Sequence, residues 1–277
     1  MSIPPISPAA VAMVTPNENL MLPHPPRDPT ANSEIEPRQQ EPITVMANLN
    51  EHQQKVDLDK DLEHHLRALT IRERDAPNSL AVATSHNNIG GVYREKGDLD
   101  KALEHHQRAL TIRERDAPNS LTVATAYNNI GVVYYKKGDF DKALEHYQRA
   151  LTIRERDAPN SLTVATTYNN IGNVYYEKGD LDEALELYQR ALIIRERDAP
   201  NALEVAGCHN SIGYAYYKKD DLEKALEHCN FAMALRMRDA PNSLHAASIK
   251  KRVAEFLAEK VVFDRTFDDF ENLFDGL

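Results

Sequence analysis

Residues 121–161, LTVATAYNNIGVVYYKKGDFDKALEHYQRALTIRERDAPNS, are followed at once by a second copy, residues 162–202, identical to the first at 33 of 41 positions. The eight differences are Ala126/Thr167, Val132/Asn173, Lys136/Glu177, Phe140/Leu181, Lys142/Glu183, His146/Leu187, Thr152/Ile193 and Ser161/Ala202. Phe140/Leu181 and Thr152/Ile193 read as packing adjustments, and most of the others as surface changes. The period runs on in both directions, because Pro77, Pro118, Pro159, Pro200 and Pro241 stand 41 residues apart. A fixed period of this size marks a solenoid of stacked units.

Each unit reads as a pair of helices. Tyr127, Ile130, Gly131 and Tyr134 recur at helical spacing and predict a first helix over roughly 121–137. Gly138 stops it, and Asp139 is placed to cap the next one. The second helix, over roughly 140–156, gathers Phe140, Ala143, Leu144, Tyr147, Ala150 and Leu151 on one face. Arg154 and Arg156 sit in its last turn, where cations suit the helix dipole, and Pro159 ends it. Gly131, like Gly90, Gly172 and Gly213 in the same slot, costs about 1 kcal/mol relative to Ala in a helix interior. Close approach of the partner helix would compensate, with the small Ala143 and Ala150 as its expected counterparts.

These residues resemble the tetratricopeptide repeat: an aromatic, Ile three residues on, then Gly, then Tyr, and after the turn Ala, Tyr and Ala. The 41-residue form, with NNIG in the first helix and RAL-I-E in the second, is similar to the repeats of kinesin light chains and of related scaffold proteins. The resemblance covers roughly residues 57–277. It implies an all-α fold, a right-handed α-solenoid of stacked antiparallel helix pairs. Kinesin light chains also carry an N-terminal heptad coiled coil for the motor. Here that region is proline-rich, so the resemblance addresses cargo-type peptide binding and leaves motor attachment in doubt.

The ends of the array are less regular. Ten prolines fall within residues 1–42, which therefore read as a disordered, Pro-rich arm. Residues 43–79 read as a degenerate N-terminal repeat: 57–78 make a good second helix, but Asn48 and Leu49 stand where Ile and Gly belong. Five repeats follow over 80–277, as pairs at 80–117, 121–158, 162–199, 203–240 and 244–277. In the last, Phe263, Phe267, Phe270 and Phe274 keep the register of a diverged, capping second helix with Asp264, Asp268, Asp269, Glu271 and Asp275 outside. A free acidic-aromatic peptide is the rival reading of that segment.

Composition bounds the function. The chain has 277 residues with 33 Lys and Arg against 43 Asp and Glu, a net charge of −10, so a general grip on nucleic acid or anionic lipid is disfavoured. Two cysteines make no disulfide framework. No apolar run approaches a membrane span and no secretory signal opens the chain, so a cytosolic location is expected. No phosphate loop, nucleophile with an evident base or isolated carboxylate set interrupts the repetition. A non-enzymatic protein without cofactor, metal or small-molecule substrate is expected.

Binding is expected on the first helices, which line the concave side of a curved array. Beside the core stripe lie Asn128, Val132 and Tyr135, with counterparts Asn87, Gly91 and Arg94; Asn169, Asn173 and Tyr176; and Asn210, Tyr214 and Tyr217. An Asn side chain offers both a donor and an acceptor, so a ladder of Asn87, Asn128, Asn169 and Asn210 suits the backbone of an extended peptide. The varying middle slot, Asn173 included, would select side chains; Arg94, Tyr135, Tyr176 and Tyr217 would add contact area. In kinesin light chains and related arrays, asparagines at the matching places contact bound peptides, and that resemblance favours these four. Asn88, Asn129 and Asn170 are second choices that could instead bond within or between helices. The competing reading is that recurring Asn only bridges successive first helices and binds nothing.

Charge along the groove alternates through Glu95, Lys136, Glu177 and Lys218, unlike a uniformly basic carboxylate clamp, and only Lys251 and Arg252 make a basic end. The recurring histidines, His64-His65, His105-His106, His146 and His228, read as ordinary surface or packing residues, since nothing in their spacing indicates convergence on one ion. Cys229 occupies the slot of Tyr147 and Tyr188 and reads as a buried, reduced thiol. The expectation is a scaffold or adaptor holding a peptide segment of another protein. The alternative is a structural or self-associating array whose N-terminal arm does the binding.

Overall fold

The computed structural model describes residues 41–198, 203–239, 243 and 246–260, and for residues 41–52 the backbone alone. The chain divides into two compact units, Met1–Leu49 and Asn50–Leu277. The described residues are helical throughout apart from turns: α1 (Glu41–Asp75), α2 (Leu80–Glu95), α3 (Leu99–Asp116), α4 (Leu121–Lys136), α5 (Phe140–Asp157), α6 (Leu162–Lys178), α7 (Leu181–Asp198), α8 (Leu203–Lys218) and α9 (Leu222–Asp239), then α10 over residues 246–260. Each first helix packs on its own second helix, α2 on α3 through α8 on α9, and each second helix packs on the first helix of the following pair. Successive first helices also touch, α4 with α6 and α6 with α8.

Local chemistry sets these boundaries. Ser79, Ser120 and Ser161 cap α2, α4 and α6, each Oγ accepting the backbone N–H three residues on at 3.4 Å. Asp98 and Asp139 cap α3 and α5 in the same way at 3.3 Å. Between the helices of a pair, Gly97, Gly138 and Gly179 take φ of +81°, +77° and +89°, where a side chain is strained.

The N-terminal segment departs from expectation. In place of a helix pair over 43–79 there is one continuous helix, α1, with Pro42 in its first turn. The reason lies in one slot: Val56 stands where Gly97, Gly138 and Gly179 make the turn, and a β-branched residue resists the left-handed conformation. Asp57 accordingly does not cap a new helix; it accepts from Gln53 Nε2 at 3.0 Å, one turn back along the same helix. The rest of the arm, residues 1–40, and the diverged last helix, from 261 on, lie outside the described residues.

The core is a column of small and large residues in register. Ala143, Ala150, Ala184, Ala191, Ala225 and Ala232 are fully buried, as are Ile89, Ile130 and Ile212. Gly131 does meet its partner helix closely, but the neighbour is an aromatic ring rather than Ala143 or Ala150. A Cβ there would stand 2.7 Å from Tyr147 Cδ1. The same holds for Gly90 against His106 at 2.8 Å and for Gly172 against Tyr188 at 2.7 Å. At Gly213 the neighbours are Cys229 Sγ and the carbonyl of Ala225, the residue equivalent to Ala143.

Candidate functional site

The nine candidate residues lie on α2, α4, α6 and α8, at matching register positions. Successive asparagines interlock. Asn129 Nδ2 donates to Asn87 Oδ1 at 2.8 Å, and Asn170 Nδ2 donates to Asn128 Oδ1 at 3.1 Å, in each case from one first helix to the preceding one. Asn128 is 9% exposed, and Arg154 Nη1 approaches the same oxygen at 3.4 Å. The second-choice asparagines Asn129 and Asn170 thus hold the first-choice ones, and the oxygens of Asn87 and Asn128 are occupied within the protein. Among the described residues no hydrogen bond uses the Nδ2 groups of Asn87, Asn128, Asn169 or Asn210.

The interlock stops at the fourth pair, because Ser211 takes the slot of Asn129 and Asn170. A serine is too short to repeat the bond, so among the described residues Asn169 Oδ1 is buried with no partner; Asn210 Oδ1 is too, with Arg252 in the slot that would donate to it. Gly207, in the slot of Thr125 and Thr166, widens the gap. A recess of about 410 Å³ opens there, lined by Asn169, Arg195, Gly207, Asn210, Ser211 and Arg236.

Of the remaining candidates, all but Arg94 also bridge helices. Asn173 Oδ1 accepts from Tyr188 OH at 2.8 Å. Tyr135 OH donates to Glu177 at 3.4 Å and Tyr217 OH to Glu259 at 3.1 Å, each on the next first helix. Lys218 Nζ lies 3.9 Å above the Tyr176 ring. Burial raises the Tyr135 and Tyr176 hydroxyls above the usual phenol range; for Tyr217 the hydrogen bond to Glu259 does so first. Arg94 Nη2 stands 3.6 Å from its neighbour Glu95. At the basic end, Lys251 and Arg252 both reach Glu255, at 3.8 and 3.7 Å, and Arg252 lies 4.7 Å over the Tyr214 ring. Their charge is answered on their own helix.

Sequence reasoning assigned the arginines of the last turn to the helix dipole and missed their main work. Arg113, Arg154 and Arg195 are nearly buried and reach the first helix of the next pair, donating to the carbonyls of Thr122, Thr163 and Glu204 at 3.1–3.3 Å. Arg154 Nη1 also donates to Thr167 Oγ1 at 2.5 Å, and Arg195 Nη1 to Cys208 Sγ at 3.1 Å. Arg115, Arg156 and Arg197 turn the other way, to the carbonyls of Asn78, Asn119 and Asn160, 37 residues earlier. Those three asparagines are left-handed, with φ of 57–60°. The 13-residue offset of Thr167 from Arg154, a polar residue on an otherwise apolar stripe, was the available signal.

Two histidine pairs converge. His86 Nδ1 lies 3.0 Å from His105 Nδ1, and His209 Nδ1 lies 2.9 Å from His228 Nδ1. Burial holds all four rings below the usual imidazole range, His105 and His209 down to about 4. His106 is pushed to about 4 in the same way, and among the described residues neither of its ring nitrogens has a hydrogen-bond partner. Cys208 and Cys229 are buried free thiols, and burial raises both, Cys229 to about 11. Among the described residues no helix is long and apolar enough to cross a membrane.

Comparison with known proteins agrees with this architecture. Models of the tetratricopeptide repeat match residues 50–115 and 122–197, and a second such model matches residues 170–240. Among solved structures, the crystal structure of BtubC (BKLC) from P. vanneervenii is 27% identical, with a TM-score of 0.60, over 72% of this chain and 80% of that one. A Podosopora anserina protein designated a kinesin light chain, with nearly identical TPR-like repeats, is 14% identical with a TM-score of 0.57, over 68% of this chain and 91% of that one. That second likeness concerns the fold alone. No curated protein matches the chain significantly.

Proposed function

The chain belongs to the tetratricopeptide repeat family, and from that premise we propose that it is a non-enzymatic adaptor holding an extended peptide segment of another protein against its first helices. The family supports a protein-interaction scaffold in general; the kinesin-light-chain-like form of it rests on the 41-residue period with NNIG in the first helix and RAL-I-E in the second.

One observation carries the finer reading. Asn87, Asn128, Asn169 and Asn210 repeat on successive, touching helices with their oxygens turned into the protein and their Nδ2 groups unused. The ladder expected to offer both donor and acceptor therefore offers donors. Amide N–H groups spaced one per repeat suit the carbonyls of an extended chain whatever its side chains. Asn173, Arg94, Tyr135, Tyr176 and Tyr217 flank the row and would set preference.

The interlocking bonds favour a second reading, in which the asparagines only clamp the stack. Panning the full chain against a random peptide library, then rescreening variants, separates the two. Asn128→Ala combined with Asn169→Ala is expected to weaken selected peptides about ten- to hundredfold, the equivalent of two lost hydrogen bonds. Asn170→Ala removes the Asn170–Asn128 clamp while leaving the four row asparagines intact, and is expected to lower stability and spare binding. Equal loss in both variants, or no loss in the double one, refutes the donor row.

A further inference from the structure

The second and third hairpins each hold a tyrosine between a carboxylate and a guanidinium. Tyr127 OH donates to Glu114 and accepts from Arg149 Nη1 at 3.4 Å. Tyr168 OH donates to Glu155 at 2.5 Å, with the Arg190 guanidinium 5.9 Å from its ring centroid. In both, the carboxylate comes from the last turn of the preceding second helix and the arginine from the hairpin's own second helix.

The first hairpin keeps that frame and lacks the phenol. Glu73 on α1 and Arg108 on α3 stand 41 residues before Glu114 and Arg149, but His86 takes the slot of Tyr127. An imidazole is shorter than a phenol, and this one is directed at His105, Nδ1 to Nδ1 at 3.0 Å. Its Nε2 lies 3.8 Å from Glu73 Oε1, beyond hydrogen-bond reach, so among the described residues no hydrogen bond meets the Glu73 carboxylate. Arg108 Nη2 pairs with Glu104 at 2.7 Å; Arg149 makes the same pair with Glu145 at 2.9 Å and still donates from Nη1 to the phenol. A cavity of about 380 Å³ opens here, lined by Glu73 and Arg108 together with the buried Val82, His86 and Ile112. The fourth hairpin meets the same exchange of tyrosine for histidine differently: Phe231 replaces the arginine and packs on His209, ring centroids 4.3 Å apart.

We propose that the cavity of the first hairpin is a binding site for a phenolic ring supplied from outside the chain, its hydroxyl donating to Glu73 and accepting from Arg108 as Tyr127 OH does one repeat later. Val82 and Ile112 give the ring apolar contact, and a volume of this order suits a small ligand. Arg149 also stands 5.5 Å from the Tyr127 ring centroid, a cation–π contact that Arg108 would repeat. The chain's own 12 tyrosines all fall between residues 93 and 217, so neither the Pro-rich arm nor the C-terminal segment carries one to fill the site. The ring is therefore a free phenol or a tyrosine of a partner. The site shares no residue with the asparagine row and stands independently of the peptide reading.

p-Cresol and N-acetyltyrosinamide, titrated into the full chain and followed by saturation-transfer NMR, should bind with about millimolar affinity, as suits a single ring. Tighter binding of the tyrosine derivative assigns the site to a protein tyrosine, and equal or tighter binding of p-cresol assigns it to a free phenol. Toluene and N-acetylphenylalaninamide, which lack the hydroxyl, should bind about tenfold more weakly or worse. Glu73→Ala should weaken the phenols about tenfold, while Glu114→Ala, the same change one repeat later, should leave them unaffected. His86→Tyr puts the neighbours' ring into the cavity and should abolish binding without lowering the melting temperature. Equal binding of the rings without a hydroxyl, binding that survives Glu73→Ala or a folded His86→Tyr chain, or a wild-type chain that binds neither phenol overturns the assignment.

Discussion

The third and fourth helix pairs are built to one plan and held differently. Between α4 and α6, Asn170 clamps Asn128, and beneath Gly172 lies the Tyr188 ring. In α8–α9 the clamp residue is Ser211 and the ring is replaced by Cys229, and among the described residues Asn169 Oδ1 on α6 and Asn210 Oδ1 on α8 are buried without partners. The helices, turns and apolar column survive these changes, so the fold resides in the glycine and alanine register. The polar contacts between repeats adjust stability and leave room for a ligand, as the recess beside Ser211 illustrates.

The comparison breaks most sharply at the glycines. Gly131→Leu drives a side chain into the Tyr147 ring, an overpacking of about 3 kcal/mol against about 1 kcal/mol gained in helix propensity. A net loss of about 2 kcal/mol or more is expected from urea denaturation, and an unchanged midpoint would refute the ring-on-glycine packing. Acid separates the hairpins next. His105, His106 and His209 have folded pKa values depressed to about 4 from 6.5, so the unfolded chain binds more protons between those limits. Their contribution is complete above about pH 6.5 and drains as the pH falls toward 4. The α6–α7 pair holds no histidine, and His106→Tyr, which copies Tyr147 and Tyr188, should flatten the fall in melting temperature over that window.

Ser211→Asn sharpens the contrast by restoring the clamp on Asn169, with an expected gain of about 1 kcal/mol; Asn170→Ser should lose a similar amount. A melting temperature that moves in the same direction for both would show that the amide bond is not the variable. The smallest effect concerns the thiols. Burial and a raised pKa should slow alkylation of Cys208 and Cys229 at pH 8 well below the rate of an exposed cysteine, and denaturant should abolish the difference.

Most of the architecture was legible because each boundary has a local cause: serine and aspartate caps, a left-handed glycine, and a small residue beneath a ring every 41 positions. In the degenerate N-terminal segment Asn48 and Leu49 mark the departure from the first-helix slots, and Val56 in the turn slot adds the reason that the helix runs on through it. The candidate row was legible as a row, but the direction of its amides was not, since that depends on a residue 42 positions away on another helix. The histidine pairs escaped for a related reason: His86 and His209 occupy an aromatic slot, Tyr127 and Tyr168 elsewhere, and become partners of His105 and His228 only when the hairpin closes.

The clamp of Asn129 on Asn87 is the same contact as that of Asn170 on Asn128, and each joins immediate neighbours only. Excising residues 121–161 whole would therefore bring Asn170 onto Asn87, with every mating surface meeting a counterpart of its own kind. The array is in that sense editable in length: unequal recombination between the near-identical copies could shorten or extend it by whole modules without a scar.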